Sequence, residues 1–129
     1  MILVTCAIIT NSDAKVLATQ RSERMSLPLK WEFPGGKMEK GESHQDTVLR
    51  EVREELNIEI AIKAQLTEVV HHYPEFSITL FPFICEHTGG QICLSEHRQY
   101  LWLSSDNLLD LDWAAADIPA YLRTLKKCE

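Results

Sequence analysis

The sequence predicts a single domain of the α/β (α+β) class, with helices laid on a mixed β-sheet. Three observations carry that expectation. Runs of apolar and β-branched residues bounded by turn signals read as strands. One segment, 43–56, has helical periodicity with a capping residue at each end. The order of elements is strands, helix, strands, helix, which leaves helices to cover a sheet. A chain of 129 residues with 45% hydrophobic content fits one domain around one core.

The elements follow in order. Residues 2–10 are apolar and β-branched and predict a strand, Asn11-Ser12-Asp13 a turn, and 15–20 the returning strand. Residues 21–30 are polar, carry Pro28 and have no period, so they predict a loop, and Phe33-Pro34-Gly35-Gly36 punctuates the chain. The helix at 43–56 has Ser43 as its N-cap and Asp46 in a capping-box position. Leu49, Val52 and Leu56 form its expected apolar face, and Asn57 its left-handed end. Residues 58–73 and 77–86 predict two longer strands, and Pro82 points to an edge or a bulge in the second. Gly89-Gly90 is a turn, 91–94 and 99–103 are short strands, and 104–110 a helical turn. A last helix is expected from about Ile118 to Lys127, with Pro119 in its first turn.

Composition excludes some functions. A net charge of -6 gives no positive field for a DNA or RNA backbone, so no nucleic-acid polymer is expected as a partner. An acidic protein still binds polyphosphates if cations stand between. Cys6, Cys85, Cys93 and Cys128 include no C-x-x-C pair; Cys6 and Cys85 read as core residues, and a cytoplasmic location is expected. Met1–Thr5 has no basic region of a signal peptide, and no apolar run approaches the roughly 20 residues of a membrane span.

The chemistry gathers around the helix. At about 100° per residue, Glu51, Glu54 and Glu55 fall within one stripe. Like charges at this spacing repel, and the C-terminal half of a helix disfavours anions. A solvated charged face is the simpler reading of the helix alone; a hard divalent cation with oxygen ligands reverses the sign of the interaction. Gly35-Gly36 lets backbone approach such a site, with the Gly36 carbonyl a candidate ligand. Glu42, just ahead of the helix, can fold back onto Arg50 as a buried structural pair away from the stripe. His71 and His72 are adjacent on a strand and point to opposite faces, while His44, His87 and His97 have no paired spacing.

Gly36, Glu42, Arg50, Glu51, Val52, Glu54, Glu55 and Ile58 fill, in register, a pattern that resembles the Nudix box, G-x5-E-x7-R-E-U-x-E-E-x-G-U with U aliphatic. Asn57 replaces the second glycine, and asparagine is the non-glycine residue best suited to a left-handed conformation. The resemblance to the MutT-like branch extends to Trp31–Lys37, Tyr73-Pro74 with Ile78-Thr79-Leu80, Glu96 six residues before Trp102, and Ala116-Asp117-Ile118-Pro119. It implies a mixed sheet sandwiched between helices, Mg²⁺ or Mn²⁺, and a nucleoside triphosphate substrate cut to monophosphate and pyrophosphate. It implies metal ligands at Glu51, Glu54, Glu55, the Gly36 carbonyl and Glu96, with Glu54 favoured as the base. Arg21 and Lys37 would contact phosphates. Phe33 would stack on the base, with Tyr73 and Leu80 lining the same pocket; core packing is the competing reading for all three.

Asp117 admits two readings, a helix N-cap or a base-reading carboxylate. The matching position in MutT-like enzymes is a base-reading Asn or Asp. An ionised carboxylate only accepts, which suits the cytosine amine, and the Ala-Asp-Ile-Pro ending resembles that of bacterial CTP and methylated-dCTP pyrophosphohydrolases. A protonated Asp117 in a dry pocket would instead serve the O6 of an oxidised guanine. Cytosine nucleotides are expected first, 8-oxo-dGTP second. Competing readings are hydrolysis of ADP-ribose or a dinucleoside polyphosphate, a non-catalytic nucleotide-binding Nudix module and the isoprenoid isomerase of the same fold. Monomer and homodimer both stand.

Overall fold

The computed structural model describes residues 1–120. Strand β1 (Ile2–Thr10) lies at the centre of a sheet with β2 (Val16–Gln20) and β3 (Trp31–Glu32) on one side and β7 (Ser77–Gly89) and β5 (Glu59–Gln65) on the other. Three more strands attach off this path: β4 (Gly35–Lys37) to β1, β6 (Val69–His72) to β7, and β8 (Gln99–Leu103) to β2. Among the strands of the described residues, β1 and β7 run parallel, in register from Ile2↔Ile78 to Thr10↔Glu86, and the other pairs antiparallel, so the sheet is mixed as predicted.

The strands bury both faces. On β1, Cys6 and Ile8 enter one core while Ala7 and Ile9 enter the other, as the two-residue strand period requires. The second core is closed by helix α1 (His44–Leu56), through Val48, Val52 and Leu56. Each of these is fully buried, worth about 1.5–3 kcal/mol apiece. The first core is closed by Leu108 of a 3₁₀ turn (Ser105–Asp110) together with Trp113, Ala116 and Ala120. No helix among the described residues is long and apolar enough to cross a membrane.

The predicted caps of α1 form. The Ser43 hydroxyl accepts from the Asp46 N–H at 3.1 Å, and Asn57 adopts the left-handed conformation at φ 58°. Its apolar face needs correction: Val48 is buried, whereas Leu49 is 40% exposed. Both residues fit a helical repeat ending at Val52 and Leu56, and the sheet beneath selects Val48.

Other differences are local. The strand expected at 58–73 breaks into β5 and β6. Pro82 lies in β7 at the middle of the sheet, not at an edge. Its carbonyl accepts from Leu66 N–H at 2.8 Å, where the partner of β7 changes from β5 to β6. A residue's N and O face the same side of a strand, so the missing donor falls in that gap. Residues 91–94 form no strand. They pass under the end of α1, where Cys93 and Ser95 donate to the Leu56 and Glu55 carbonyls. The final helix begins at residue 117, in line with the expected start at about Ile118, and its predicted remainder from 121 lies outside the described residues.

Candidate active site

Strand β4 and helix α1 bring the glycine loop onto the acids. A Cβ on Gly35 would meet the Thr5 carbonyl oxygen at 2.0 Å, so the backbone of β1 leaves no room for a side chain there. A Cβ on Gly36 would lie 2.3 Å from Oε2 of Glu51. The Glu51 carboxylate therefore rests directly on the Gly36 peptide.

Arg50 is a hub. Its Nε and Nη2 bond both oxygens of Glu42, at 2.7 and 2.9 Å. Nη2 also reaches the Lys37 carbonyl at 3.0 Å, which ties the loop to the helix. Arg50, then the Glu39 N–H, hold the Glu42 carboxyl down at about 2. Two expectations are corrected here. The pair is partly exposed rather than buried, and Arg50 is not separate from the acidic stripe, because Nη1 bonds Glu51 at 2.7 Å and Glu54 at 3.1 Å.

The three helix acids occupy different surroundings. Glu54 is exposed and faces an open groove with Arg50 and Arg53. Glu51 is largely covered, and burial raises its carboxyl pKa against the opposing pull of Arg50. Glu55 is the acid that turns into the cavity beneath β1 and β4, where burial first, and then the Glu32 and Glu51 carboxylates, push its pKa well up.

That cavity, of about 260 Å³, has a lining of two kinds. Phe33, Tyr73, Phe76, Ile78, Leu80 and Ala116 are apolar, while Arg21, Glu32, Lys37 and Glu55 bring charge and Gly35 and Gly36 bare backbone. Phe33 packs against Trp113 with ring centroids 4.7 Å apart, and the Tyr73 hydroxyl accepts from Ala116 N–H at 3.1 Å. Asp117 also lines the cavity and is buried. Its Oδ2 accepts from the Phe33 N–H at 2.7 Å, a partner outside its own helix. Burial first, and then the Glu32 charge, raise its pKa well above the ordinary range.

Arg21 braces loop 22–30 from within: Nη1 bonds Glu32 at 2.8 Å and Nη2 the Ser26 hydroxyl at 3.0 Å. Lys37 is exposed at the rim. Glu96 is exposed, while its neighbour His97 turns inward and bonds Glu32 Oε2 at 2.8 Å. Glu32 and His97 are the site residues that the sequence reading missed. Isolated spacing gave no signal for His97, and Glu32 was visible only within the Trp31–Lys37 segment.

A hard cation fits this donor set. Glu51 lies on the Gly36 peptide, and the buried Glu55 feels the charges of Glu32 and Glu51, a negative field that a divalent ion would neutralise. Among the described residues no three acidic, imidazole or thiol side chains already stand together to ligate one ion. Arg50 holds Glu51 and Glu54 instead, so joint ligation requires these two to turn from it.

This arrangement of acidic helix, glycine loop and nucleoside-sized cavity is that of a phosphoanhydride hydrolase, and comparison with known proteins gives the family. Residues 2–124 match the NUDIX domain, and the chain belongs to the Nudix family. It is 36% identical over 122 residues to the CTP pyrophosphohydrolase of Escherichia coli K12, covering 92% of this chain and 87% of that protein. It is 29% identical over 116 residues to the 8-oxo-dGTP diphosphatase of the same organism, covering 90% of each. Among solved structures, the MutT protein of Methanosarcina mazei Go1 superposes with a TM-score of 0.90 at 27% identity, over 99% of this chain and 95% of that one. The protein is accordingly an enzyme, a Nudix hydrolase of the MutT-like branch.

Proposed function

We propose that the protein is a metal-dependent nucleoside triphosphate pyrophosphohydrolase that releases a nucleoside monophosphate and pyrophosphate, acting first on cytosine nucleotides: CTP, dCTP and 5-substituted dCTP. One observation carries the reading. The same cavity is lined by the acid and glycine groups, by aromatic side chains and by a buried carboxylate, Asp117. This suits a ligand with an anionic tail and a flat, hydrogen-bonding head.

The residues take these roles. Phe33, Tyr73 and Leu80 enclose the base. The Phe33 N–H holds Oδ2 of Asp117, which turns Oδ1 to the base and its exocyclic amine. Lys37 at the rim pairs with a phosphate, and Arg21 fixes the loop beside it. Glu51, Glu54, Glu55 and the Gly36 carbonyl hold Mg²⁺ or Mn²⁺, with Glu96 at the solvent side. The bound cations supply charge neutralisation at the phosphates and a more acidic water. Glu54, the exposed acid, takes the proton from the attacking water.

A second substrate, 8-oxo-dGTP, has its own support. The same burial that raises the Asp117 pKa favours a protonated acid that can donate to guanine O6. The test is a panel of nucleotides with Mg²⁺, measuring pyrophosphate and phosphate separately. Turnover confined to ADP-ribose or dinucleoside polyphosphates, or the release of phosphate alone, would overturn the proposal.

A further inference from the structure

We propose that His97 is a positioning residue for Glu55: clamped by Glu32, its imidazole fixes the orientation of the carboxylate at the buried end of the acidic helix. The inference rests on the reading of Glu55 as a cation-holding acid.

The geometry is specific. The His97 side chain is 1% exposed and lies between acids from two different elements. Toward β3, Nε2 stands 2.8 Å from Glu32 Oε2, and since a carboxylate accepts, Nε2 is the donor. Toward α1, Nδ1 faces Glu55 Oε2 at 3.9 Å, beyond hydrogen-bond length, and it is a buried side-chain nitrogen with no hydrogen-bond partner among the described residues; the pair closes into a hydrogen bond when a small approach brings one proton between the ring and the carboxyl. A buried polar atom left unpaired costs stability, and here it points at an acid of the reaction centre.

The surroundings hold the ring in place. Glu32 is itself fixed, because its other oxygen accepts from Arg21 at 2.8 Å. The backbone carrying His97 is attached on both sides: Ser95 donates to the Glu55 carbonyl at 3.1 Å and Arg98 to the Gln20 carbonyl at 2.9 Å. Glu55 otherwise has a long bond from the Gly35 N–H, 3.4 Å. A carboxylate so weakly held needs an anchor to present one orientation, and groups that orient ligating carboxylates typically change metal affinity or activity by about 10–100-fold.

The experiment separates the two ring nitrogens. An asparagine amide reaches the place of Nδ1, and a glutamine amide the place of Nε2. Mn²⁺ affinity is read from the free-ion EPR signal, alongside kcat, KM and thermal melting, for wild type, His97→Ala, His97→Asn, His97→Gln and Glu55→Gln. His97→Ala and His97→Gln are expected to weaken Mn²⁺ binding and lower kcat by about 10-fold or more. His97→Asn, which keeps the contact with Glu55 but loses the Glu32 clamp, is expected to fall between wild type and His97→Gln, with nucleotide KM little changed in all three. If His97→Gln retains function and His97→Asn loses it, the ring serves only as a strut to Glu32 and the proposal fails. It also fails if all three bind Mn²⁺ as wild type does while Glu55→Gln binds weakly. Unchanged Mn²⁺ binding in Glu55→Gln itself would bring down the underlying reading of Glu55 and the proposal with it. If His97→Ala does not fold, the Asn and Gln pair decides alone.

Discussion

Replacing Asp117 by Asn tests how the base is read. The Phe33 N–H at 2.7 Å requires an oxygen, so the asparagine must place its carbonyl there and turn its NH₂ into the cavity. The group facing the base changes from acceptor to donor while the anchor survives. A hydrogen bond to a charged partner is worth roughly 1.5–3 kcal/mol. At 1.4 kcal/mol per decade, the ratio of kcat/KM for CTP over 8-oxo-dGTP should fall by about 10- to 100-fold. Pyrophosphate release with Mg²⁺ measures both substrates. The wild-type ratio should also move with pH, toward 8-oxo-dGTP as the pH falls and Asp117 takes up its proton, and the variant ratio should be flat. Stability gives an independent check. Burial raises the Asp117 pKa, so its contribution is full below the ordinary carboxyl value of about 4 and is lost as pH rises through the raised value. The variant should therefore melt above wild type at pH 8 and level with it near pH 4. Equal losses of kcat/KM on both substrates, with no pH dependence of the ratio, would refute the assignment.

Glu54→Gln should keep the fold and lower kcat by at least about 10², and EDTA should abolish activity; near wild-type turnover in either case removes that role. Glu42, held at about 2, contributes stability that is present above about pH 4 and lost as the pH falls toward 2. Wild type should thus lose melting temperature over that window more steeply than Glu42→Gln, and parallel curves would mean that the Arg50 pair is not maintained in solution. Gly36→Ala should cut activity and Mn²⁺ affinity while leaving melting nearly unchanged, because its Cβ displaces the tip of the Glu51 side chain. Gly35→Ala meets β1 backbone instead and should destabilise by about 1–3 kcal/mol, read by chemical denaturation.

Much of this protein is local chemistry and could be read along the chain. The Ser43 cap, the helix it starts and the left-handed Asn57 that ends it depend on a few neighbouring residues, and each formed as expected. The register of Gly36, Glu42, Arg50 and the three acids is likewise a property of sequence spacing. Local periodicity was ambiguous where two phases fitted equally. Val48 and Leu49 both suit a face ending at Val52 and Leu56, and only the sheet selects between them. Of the edge or bulge that Pro82 suggests, the edge does not form and the irregularity in β5–β7 pairing does: a proline reports its own missing donor, not whether the gap opposite lies at the edge or inside the sheet.

The site itself required tertiary structure. Asp117 meets Phe33 across 84 positions, and His97 meets Glu32 across 65. Such contacts exist only once β2 has paired with both β3 and β8 and Trp31 has met Trp113, and no spacing rule reaches that far. The helix stripe placed Glu51, Glu54 and Glu55 together, but not that Glu55 would face the cavity, Glu54 the solvent and Arg50 would bond two of them. The sequence by itself determined which acids and glycines are present and on which side of one helix they fall. Tertiary packing decided which are buried and what each one faces, because desolvation and hydrogen bonding depend on elements brought together from distant parts of the chain.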